Sequence, residues 1–422
     1  MRHPFLLTLN AGSSSVKIGL FRVDRGVAHE VGRGEIDLQG RPLELRLSAG
    51  EARSVIAIAA SPGDELHQVL DTTLAELSKH FDLGDLLGAG HRVVHGGLQF
   101  QGPVRIDDVS LAAIDALTPL APLHQPHSLR LIRALRRLRP GLAQTASFDT
   151  AFHVTQSDLV RRFALPRAMH DEGIRRYGFH GLSYRWIAGE MARRHPGLAA
   201  GRVVVAHLGS GASACAMRAG RSIDCSMGFS TLDGLPMGTR CGTLDAGVLL
   251  YLLGKRRLSV EAVEDLLYHR SGLFGVSGIS ADVRVLERTA ADEPVPGSAG
   301  APARQALDLF ALRTAGEIAR LATTAGGIDA VVFTAGIGEH DASLRAAICA
   351  HLGWLGLDLD AAANAAHTER IGALGSRLAV LVIRTNEEQV IADEALGLLG
   401  LGQVLRSPVP DDGGPASRPS PL

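Results

Sequence analysis

The chain has 422 residues, of which 46% are hydrophobic and 21% charged, as is typical of a globular protein with two domains of ordinary size. Its 43 Lys and Arg residues almost balance its 44 Asp and Glu residues, so the net charge of −1 provides no basic field for nucleic acid or an anionic membrane. The four cysteines lack Cys-x-x-Cys spacing, which argues against a zinc site and favours a reduced, cytoplasmic protein. No apolar run reaches membrane-spanning length.

The predicted elements alternate between strands and helices, which indicates α/β layers. We predict strands between residues 4 and 59 and at 89–95 and 144–148, with helices at 64–80, 110–117 and 127–138. From about residue 151 the pattern restarts, with strands at 202–208, 329–334 and 378–383 and helices at 183–195, 246–253, 259–269, 304–324 and 387–399. The tail 407–422 is rich in Pro, Ser, Gly and Asp, and we expect it to be disordered.

The segment Asn10–Lys17 follows an apolar run and precedes another, so it predicts a hairpin with a tight turn of small residues. Turn amides and hydroxyls in this arrangement suit an anion such as phosphate. Lys17, one of only three lysines in the chain, adds a positive charge. An ordinary polar hairpin is the alternative interpretation.

A second turn of the same kind occurs at His207–Ser213, where Leu208-x-x-Gly211-x-Ser213 repeats the spacing of Leu9-x-x-Gly12-x-Ser14. Two such hairpins, one in each half, could grip a polyphosphate from both sides of a cleft. A purely structural turn and a dinucleotide-binding turn are the alternatives; the latter requires a helix directly after the glycines, whereas the residues that follow predict another hairpin.

Four further features are candidates for chemistry. Segment 333–339 is a strand that enters glycines opening a helix, a favourable place for negative charge or a simple strand-to-helix turn. Arg92 and Arg240 each lie near glycines and suit a carboxylate or a transferring phosphoryl group, although most arginines are merely solvated. Asp149 ends a predicted strand and is either catalytic or a helix cap, and His180 lies between Phe179 and Gly181.

Other catalytic signatures are absent from the sequence. The chain contains no Gly-x4-Gly-Lys-Ser/Thr segment, which excludes a P-loop nucleotide hydrolase, and no Gly-x-Ser-x-Gly nucleophile elbow. His91 and His95 have the i, i+4 spacing of a zinc helix, but they lie on a predicted strand without His-Glu-x-x-His.

Taken together, the segments resemble the acetate kinases of the acetate and sugar kinase, Hsp70 and actin superfamily. The resemblance covers about residues 5–398. The motifs that carry it are NAGSSSVK at 10–17, HRVVHGG at 91–97, PLH at 122–124, FDTAFH at 148–153, RRYGFHG at 175–181, MGTR at 237–240, SADVR at 280–284 and TNEE at 385–388.

The resemblance implies a two-domain, actin-like (ribonuclease H-like) α/β fold with a nucleotide cleft between duplicated domains. The expected domains are 1–150, completed by a helix at 385–400, and 151–384. The implied reaction is reversible, Mg²⁺-dependent phosphoryl transfer from ATP to acetate, with Mn²⁺ as an alternative metal. Acetate, ATP and ADP are the implied small-molecule partners, and the resemblance implies a homodimer.

The resemblance also implies site residues, by position. The catalytic set is Asp149, His180 and Arg240. Acetate would be bound by Arg92 and by an apolar pocket of Val94, Leu123 and Phe179. The ATP site would comprise Lys17, His207, Leu208, Gly209, Ser210, Gly211, Asp282, Val283, Arg284, Ala335, Gly336, Ile337, Gly338 and Glu339, and the metal site Asn10 and Glu387.

The chain departs from the family pattern at several positions. Ser210 and His340 each stand where the family usually has Asn, Ala335 replaces a Gly, and Thr231 replaces a pocket Pro. Segment 242–244 reads Gly-Thr-Leu in place of the usual Gly-Asp-Ile. Because pocket shape decides between acetate and propionate, a propionate- or butyrate-preferring kinase is one alternative function. An actin- or Hsp70-like protein switched by nucleotide is a more distant one.

Overall fold

The computed structural model describes residues 4–12, 15–37, 43–50, 52–58, 66–81, 83–291 and 299–402. The predicted disordered tail, 407–422, lies outside these residues, as do Ser13 and Ser14 of the first hairpin turn. The described helices include none that is long and apolar enough to cross a membrane.

The strands of the described residues form two sheets. They are β1 Phe5–Ala11, β2 Ser15–Asp24, β3 Val27–Asp37, β4 Glu44–Ala49, β5 Ala52–Ala57, β6 Leu86–Val93, β7 Val104–Arg105, β8 Gln144–Phe148, β9 Arg202–Leu208, β10 Ala212–Arg218, β11 Arg221–Cys225, β12 Ala330–Thr334 and β13 Ala379–Val382.

The α-helices cover the faces of these sheets or connect their strands. They are α1 Leu66–Ser78, α2 Asp108–Ala116, α3 Gln125–Leu138, α4 Asp158–Arg161, α5 Arg167–Asp171, α6 Gly181–Arg194, α7 Pro196–Ala199, α8 Ala246–Gly254, α9 Val260–His269, α10 Gly272–Ser277, α11 Val283–Ala291, α12 Gly300–Ala325, α13 Ala335–His340, α14 Ala342–Ala350, α15 Ala361–Ala365 and α16 Glu387–Leu398.

Four neighbouring strands are arranged in the same order in both sheets. The first sheet runs β5-β4-β3-β2-β1-β6-β8-β7, and the second runs β11-β10-β9-β12-β13. In each, a hairpin strand pairs antiparallel with the first strand of its half. On the other side of that first strand a later strand pairs parallel with it, and a second later strand pairs parallel with the later one. The repeated order means that the two predicted hairpins, at 10–17 and 207–213, occupy equivalent positions in the two halves.

Helices pack on both faces of the first sheet because its central strands are apolar on both sides. Leu7 and Leu9 of β1 face α1 and α3, whereas Leu6 faces the other way, toward Ala392 and Leu396 of α16. The last helix therefore returns from the second half of the chain to cover the first sheet. The division into domains, with the first completed by residues 385–400, stays a prediction.

The predicted elements agree with the structure within a few residues. Strands β8 and β9 have the predicted bounds, whereas β6 begins at Leu86 and ends at Val93, so that His95 lies beyond the strand. Helix α12 begins at Gly300, four residues before its predicted start. The second sheet packs its apolar strands, including Val204 and Val332, against α6 and α12.

Candidate active site

Three polar residues lie where neighbouring parallel strands of the first sheet end. Asn10 is near the end of β1, Arg92 is the penultimate residue of β6, and Asp149 directly follows β8. Because β6 pairs in parallel with both β1 and β8, the carboxyl ends of these strands meet at one edge. Side chains distant in sequence are thus brought together at the edge where open α/β sheets bind ligands.

The Arg92 guanidinium is the centre of this group. It donates from Nε to Asp149 Oδ1 at 3.0 Å and from Nη2 to Asp149 Oδ2 at 2.6 Å, a two-pronged ion pair. A third donor, Nη1, lies 3.1 Å from Asn10 Oδ1. Asp149 is only 1% exposed, so the pair is fixed in a dry environment. The geometry favours Asp149 as a residue that orients Arg92 over Asp149 as a helix cap.

The start of α16 adds two carboxylates. The Asn10 amide nitrogen donates to Glu387 Oε2 at 3.1 Å and to Glu388 Oε1 at 3.3 Å. Residues 377 positions apart thereby meet, as the expected pairing of Asn10 with Glu387 requires. We call Asn10, Arg92, Asp149, Glu387 and Glu388 the first-sheet cluster.

The charges of the first-sheet cluster depend on one another. Burial opposes ionisation of Glu387, but Arg92, with smaller contributions from His207 and Lys17, lowers the pKa of this carboxyl overall. For Asp149, burial raises the pKa and the Arg92 guanidinium opposes that rise. Burial also opposes the charge of Arg92, but Asp149 and Glu387 raise its pKa.

The second sheet has an equivalent edge. Its parallel strands β9 and β12 end side by side, with His207 opposite Thr334. The turn after β9 is closed by a bond from the Gly209 amide to the Gly211 carbonyl at 3.0 Å. A Cβ on Gly209 would lie 3.7 Å from the Cβ of Ala335, so the turns that follow the two strands are in contact range.

His180 stacks on His207 at this edge. The ring centroids are 4.3 Å apart and the ring planes 18° from parallel. Burial, followed by His207 and Arg92, lowers the pKa of His180 well below its usual value, and burial lowers the pKa of His207 to about 4. Both imidazoles are therefore neutral at pH 7. The Gly181 amide donates to the Asp149 carbonyl at 3.0 Å, which joins His180 to the first-sheet cluster.

Arg240 reaches the same place from the loop after β11. Its Nη1 donates to the Thr231 carbonyl at 3.0 Å, and no carboxylate in the described ranges forms an ion pair with it. A Cβ on Gly211 would lie 3.2 Å from His180 Nε2 and 4.0 Å from Arg240 Nη2, so both groups border this glycine. Burial lowers the pKa of Arg240, as expected for a cation without a partner. We call His180, His207 and Arg240 the second-sheet cluster.

The expected ATP-site residues fall into three neighbouring loops. A Cβ on Gly238 would meet Ala281 at 3.3 Å and the Ser210 carbonyl at 3.9 Å, which brings the loop before α11 against the second hairpin. Asp282 and Arg284 pair with each other at 2.6 Å, and Val283 is buried at the start of α11. Leu208 is buried in the core, whereas Ser210 is exposed.

The turn at Ala335 has two unusual features. Ala335 has φ +66°, the left-handed conformation that favours glycine, and it stands where the family usually has Gly. Glu339 does not point freely outward, because its Oε1 accepts from the amides of Ala335 at 2.8 Å and Thr385 at 3.0 Å. A Cβ on Gly338 would lie 3.6 Å from the Ala206 carbonyl oxygen. Gly336 is exposed and Ile337 is half-buried.

The expected acetate pocket is only partly assembled. Val94 and Phe179 are each 1% exposed and belong to one hydrophobic cluster with Ala121. Leu123 is half-buried in the turn before α3. Lys17 is exposed on β2, directly opposite Glu35 and next to the first hairpin turn.

Several residues that the structure places at the site were not predicted from the sequence. His124 is one: burial, then Arg240 and Arg92, lowers its pKa to about 3. Ser213 contacts His180, Tyr184 contacts Ser213, and Glu388 contacts Asn10. Only Ser213 had a signal, as the last position of the repeated Leu-x-x-Gly-x-Ser spacing.

Solved structures with the same architecture define the class of protein. A propionate kinase from Francisella tularensis superposes with a TM-score of 0.85 at 35% identity, covering 93% of this chain and 98% of that one. The acetate kinase of Porphyromonas gingivalis gives a TM-score of 0.82 at 32% identity, covering 94% of this chain and 100% of that one. The fold is that of the actin-like ATPases, and the chain is a phosphotransferase of that class.

Sequence comparisons identify the family. The model of the acetokinase family matches residues 5–393. An acetate kinase from Methylocella silvestris is 44% identical over 410 residues, covering 93% of this chain and 98% of its own length. One from Rhodopseudomonas palustris is 44% identical over 392 residues, covering 92% and 96%. The chain belongs to the acetokinase family, which confirms the expected family and fold.

Proposed function

We propose that the protein transfers the terminal phosphoryl group of ATP to the carboxylate of acetate, reversibly, to give acetyl phosphate and ADP. The observation that carries this proposal is the half-buried Arg240 guanidinium, which has no carboxylate partner in the described part of the chain and borders neutral His180. A buried cation without a partner is costly unless a ligand supplies the negative charge. Acetate or a phosphoryl group would do so.

The proposed reaction does not require a strong general base. Acetate is ionised at pH 7, so one of its oxygens can attack phosphorus without losing a proton. The transition state spreads charge over the three equatorial phosphoryl oxygens, and catalysis consists of positioning and charge stabilisation. Arg240 and His180 would donate to these oxygens. Asp149 would fix the direction of Arg92, whose guanidinium would align the acetate carboxylate.

ATP would lie between the two hairpins. Its phosphates would face the turns at Asn10–Lys17 and 207–211, and its nucleoside would face 282–284 and 335–339. In this assignment the backbone amides of the turns, rather than a lysine in a P-loop, supply most of the donors. The mutual pairing of Asp282 and Arg284 would have to open, or present its outer edge, to contact the nucleoside.

In the first-sheet cluster, Glu387, with Asn10 beside it, would hold a magnesium ion. Mg²⁺ in such sites uses one or two carboxylates and fills its other positions with water and phosphate oxygens. Glu387 supplies a carboxylate with a lowered pKa. Asn10 turns its amide nitrogen toward Glu387, so in this arrangement it orients the ligand. The metal would neutralise charge that develops on the phosphates, and Mn²⁺ would serve in its place.

We also propose that the protein is a homodimer. Helix α8 is apolar along its length yet buries none of its residues, and Leu250 and Tyr251 are 73% and 54% exposed. A two-fold contact would cover this face with the same face of a second copy. Sedimentation velocity should show a dimer that Leu250→Glu dissociates; a monomeric parent protein would refute the proposal.

The decisive experiment for the activity is formation of acyl phosphate, trapped as the hydroxamate, with ATP and Mg²⁺. We expect kcat/KM to be highest for acetate, lower for propionate and lowest for butyrate. Propionate is the second candidate, because the propionate kinase of Francisella tularensis is a structural neighbour and because buried Thr231 replaces a proline. ATP hydrolysis without acyl phosphate would contradict the proposal and favour a nucleotide switch.

A further inference from the structure

His180 is half-buried and is the outer member of a chain of three hydrogen-bonded side chains. Its Nδ1 lies 2.8 Å from Ser213 Oγ, and the same oxygen lies 2.5 Å from the Tyr184 hydroxyl. Ser213 and Tyr184 are both fully buried, at 0% exposure. The hydroxyls of Ser213 and Tyr184 have no further hydrogen-bond partner among the residues described. The series of hydrogen bonds therefore ends at the Tyr184 hydroxyl. Only Nε2 of His180 is left to bond a group outside the series.

Proton counting decides the direction of this chain. If Nδ1 carried the proton and donated to Ser213, then either the Ser213 or the Tyr184 hydroxyl hydrogen would have no acceptor. A buried hydroxyl without an acceptor costs about 1–3 kcal/mol. If instead Tyr184 donates to Ser213 and Ser213 donates to Nδ1, every proton is used. Since neutral imidazole carries only one N–H, that proton is then on Nε2.

We propose that Ser213 and Tyr184 form a relay that keeps His180 in the tautomer with its proton on Nε2. This nitrogen faces Gly211, beside Arg240. As an N–H donor it stabilises a negatively charged oxygen, whereas in the other tautomer its lone pair would repel one. Ser213 and Tyr184 are thus positioning residues that act through His180. Their effect on turnover rests on the proposed phosphoryl transfer, but the tautomer does not.

The stacked ring of His207 makes this control necessary. With centroids 4.3 Å apart, charge on both imidazoles at once is unfavourable, and after burial His207, Arg92 and Arg240 all lower the pKa of His180. His180 therefore cannot gain a donor at Nε2 by becoming doubly protonated near neutral pH. His207 has its own hydroxyl partner, Ser183 Oγ, at 2.8 Å from its Nδ1.

The first test is the protonation of the ring nitrogens, measured by long-range ¹H–¹⁵N NMR on protein with ¹⁵N-labelled histidine. The His180 signals are assigned by their loss in His180→Asn. We expect a protonated Nε2 and an unprotonated Nδ1 without any ligand. In Ser213→Ala we expect a mixture of tautomers. A proton on Nδ1 in the parent protein, or an unchanged tautomer in Ser213→Ala, would overturn the relay.

The second test is kinetic. We expect Ser213→Ala to lower kcat about tenfold, as loss of a supporting residue commonly does, with KM for ATP unchanged. Tyr184→Phe should lower kcat by about two- to fivefold, the lower part of the range expected for one neutral hydrogen bond. Because Tyr184 acts only through Ser213, the double variant should equal Ser213→Ala. Multiplied effects would instead indicate two independent packing defects and refute the relay.

Matched controls exist for both changes. Ser128 is buried in α3 and its hydroxyl has no partner among the residues that the structure describes, so Ser128→Ala removes a hydroxyl without breaking a bond seen there. Tyr177 is buried and donates to the Gly173 carbonyl, so Tyr177→Phe removes a phenol bond outside the relay. Neither should change kcat or the His180 tautomer. If Ser213→Ala does not fold, the tautomer of the parent protein and the turnover of Tyr184→Phe still test the relay. If no acyl phosphate forms at all, the NMR result still decides the tautomer.

Discussion

The first-sheet and second-sheet clusters differ in how the positive charges of their arginines are compensated. In the first, Arg92 is matched by Asp149, and Asn10 lies between Arg92 and two carboxylates. In the second, the histidines are neutral and Arg240 has no carboxylate partner within the described ranges. A paired cation is a fixed part of the protein, whereas an unpaired one is completed by a ligand. We therefore propose that the first-sheet cluster positions the substrate and that the second-sheet cluster stabilises the charge of the transferred group.

The largest expected effect is therefore at Arg240. Arg240→Ala should lower kcat about 10³-fold or more, because arginines that stabilise phosphoryl transfer contribute about 10³–10⁵. Nucleotide affinity, measured by calorimetry, should change little. Because the guanidinium is unpaired, added guanidinium should restore part of the activity. A loss of kcat smaller than about tenfold in the acyl-hydroxamate assay would contradict the proposed role of Arg240.

Asp149→Asn tests the first-sheet cluster. It should lower kcat by about 10²-fold, the usual loss for one preorganised electrostatic contact, because Arg92 loses its direction. It should also destabilise the fold by about 3–5 kcal/mol in urea unfolding, because a buried cation loses its partner. Arg240→Ala, by contrast, should not destabilise it. Unchanged turnover in Asp149→Asn would remove Asp149 from the mechanism.

The neutral histidines predict a pH effect on stability. Their folded pKa values lie below the usual 6.5, so at pH 4–6.5 the unfolded chain binds more protons than the folded one. The free energy of unfolding should be constant above about pH 6.5 and fall as the pH drops toward 4. Urea unfolding at several pH values measures this. The contributing residues with pKa values of about 4 or 3 are His91, His95, His124, His153 and His207.

His91 provides the control for this pH effect, because its ring is buried in the first sheet against Gln144, away from the second-sheet cluster. His91→Asn should reduce the slope of stability against pH in this window without altering the pH dependence of kcat. A slope that does not change in the variant would contradict the assignment of a low pKa to this residue.

The smallest effect is expected at Ala335. A left-handed conformation costs a residue with a Cβ about 1–2 kcal/mol, and glycine gives back part of that gain through its freer unfolded chain. Ala335→Gly should therefore stabilise the protein by about 0.5–1 kcal/mol in urea unfolding. Ala219→Gly is the matched control, since Ala219 has φ +50° in the turn between β10 and β11. A change in KM for ATP is expected only in Ala335→Gly.

Much of the fold could be predicted from local sequence, because apolar periodicity and turn residues act over a few positions. Strands β8 and β9 have their predicted bounds, and the start of α6 was missed by two residues. The repeated Leu-x-x-Gly-x-Ser spacing correctly marked equivalent hairpins, although three matched positions alone carried little weight. The order of strands in each sheet was not predictable in this way, since pairing joins residues far apart in sequence, such as Leu9 with His91 in the first sheet and Val203 with Ala330 in the second.

The sequence by itself determined which residue types are available: two arginines near glycines, a strand-end aspartate, and small-residue turns. Only the tertiary structure decided their electrostatic states, because pairing and burial depend on neighbours from distant segments. Arg92 and Arg240 are equivalent candidates in sequence, yet one is paired to Asp149 and the other is not. Likewise, nothing in the segment around His180 shows that Ser213 and Tyr184 determine where its single proton lies.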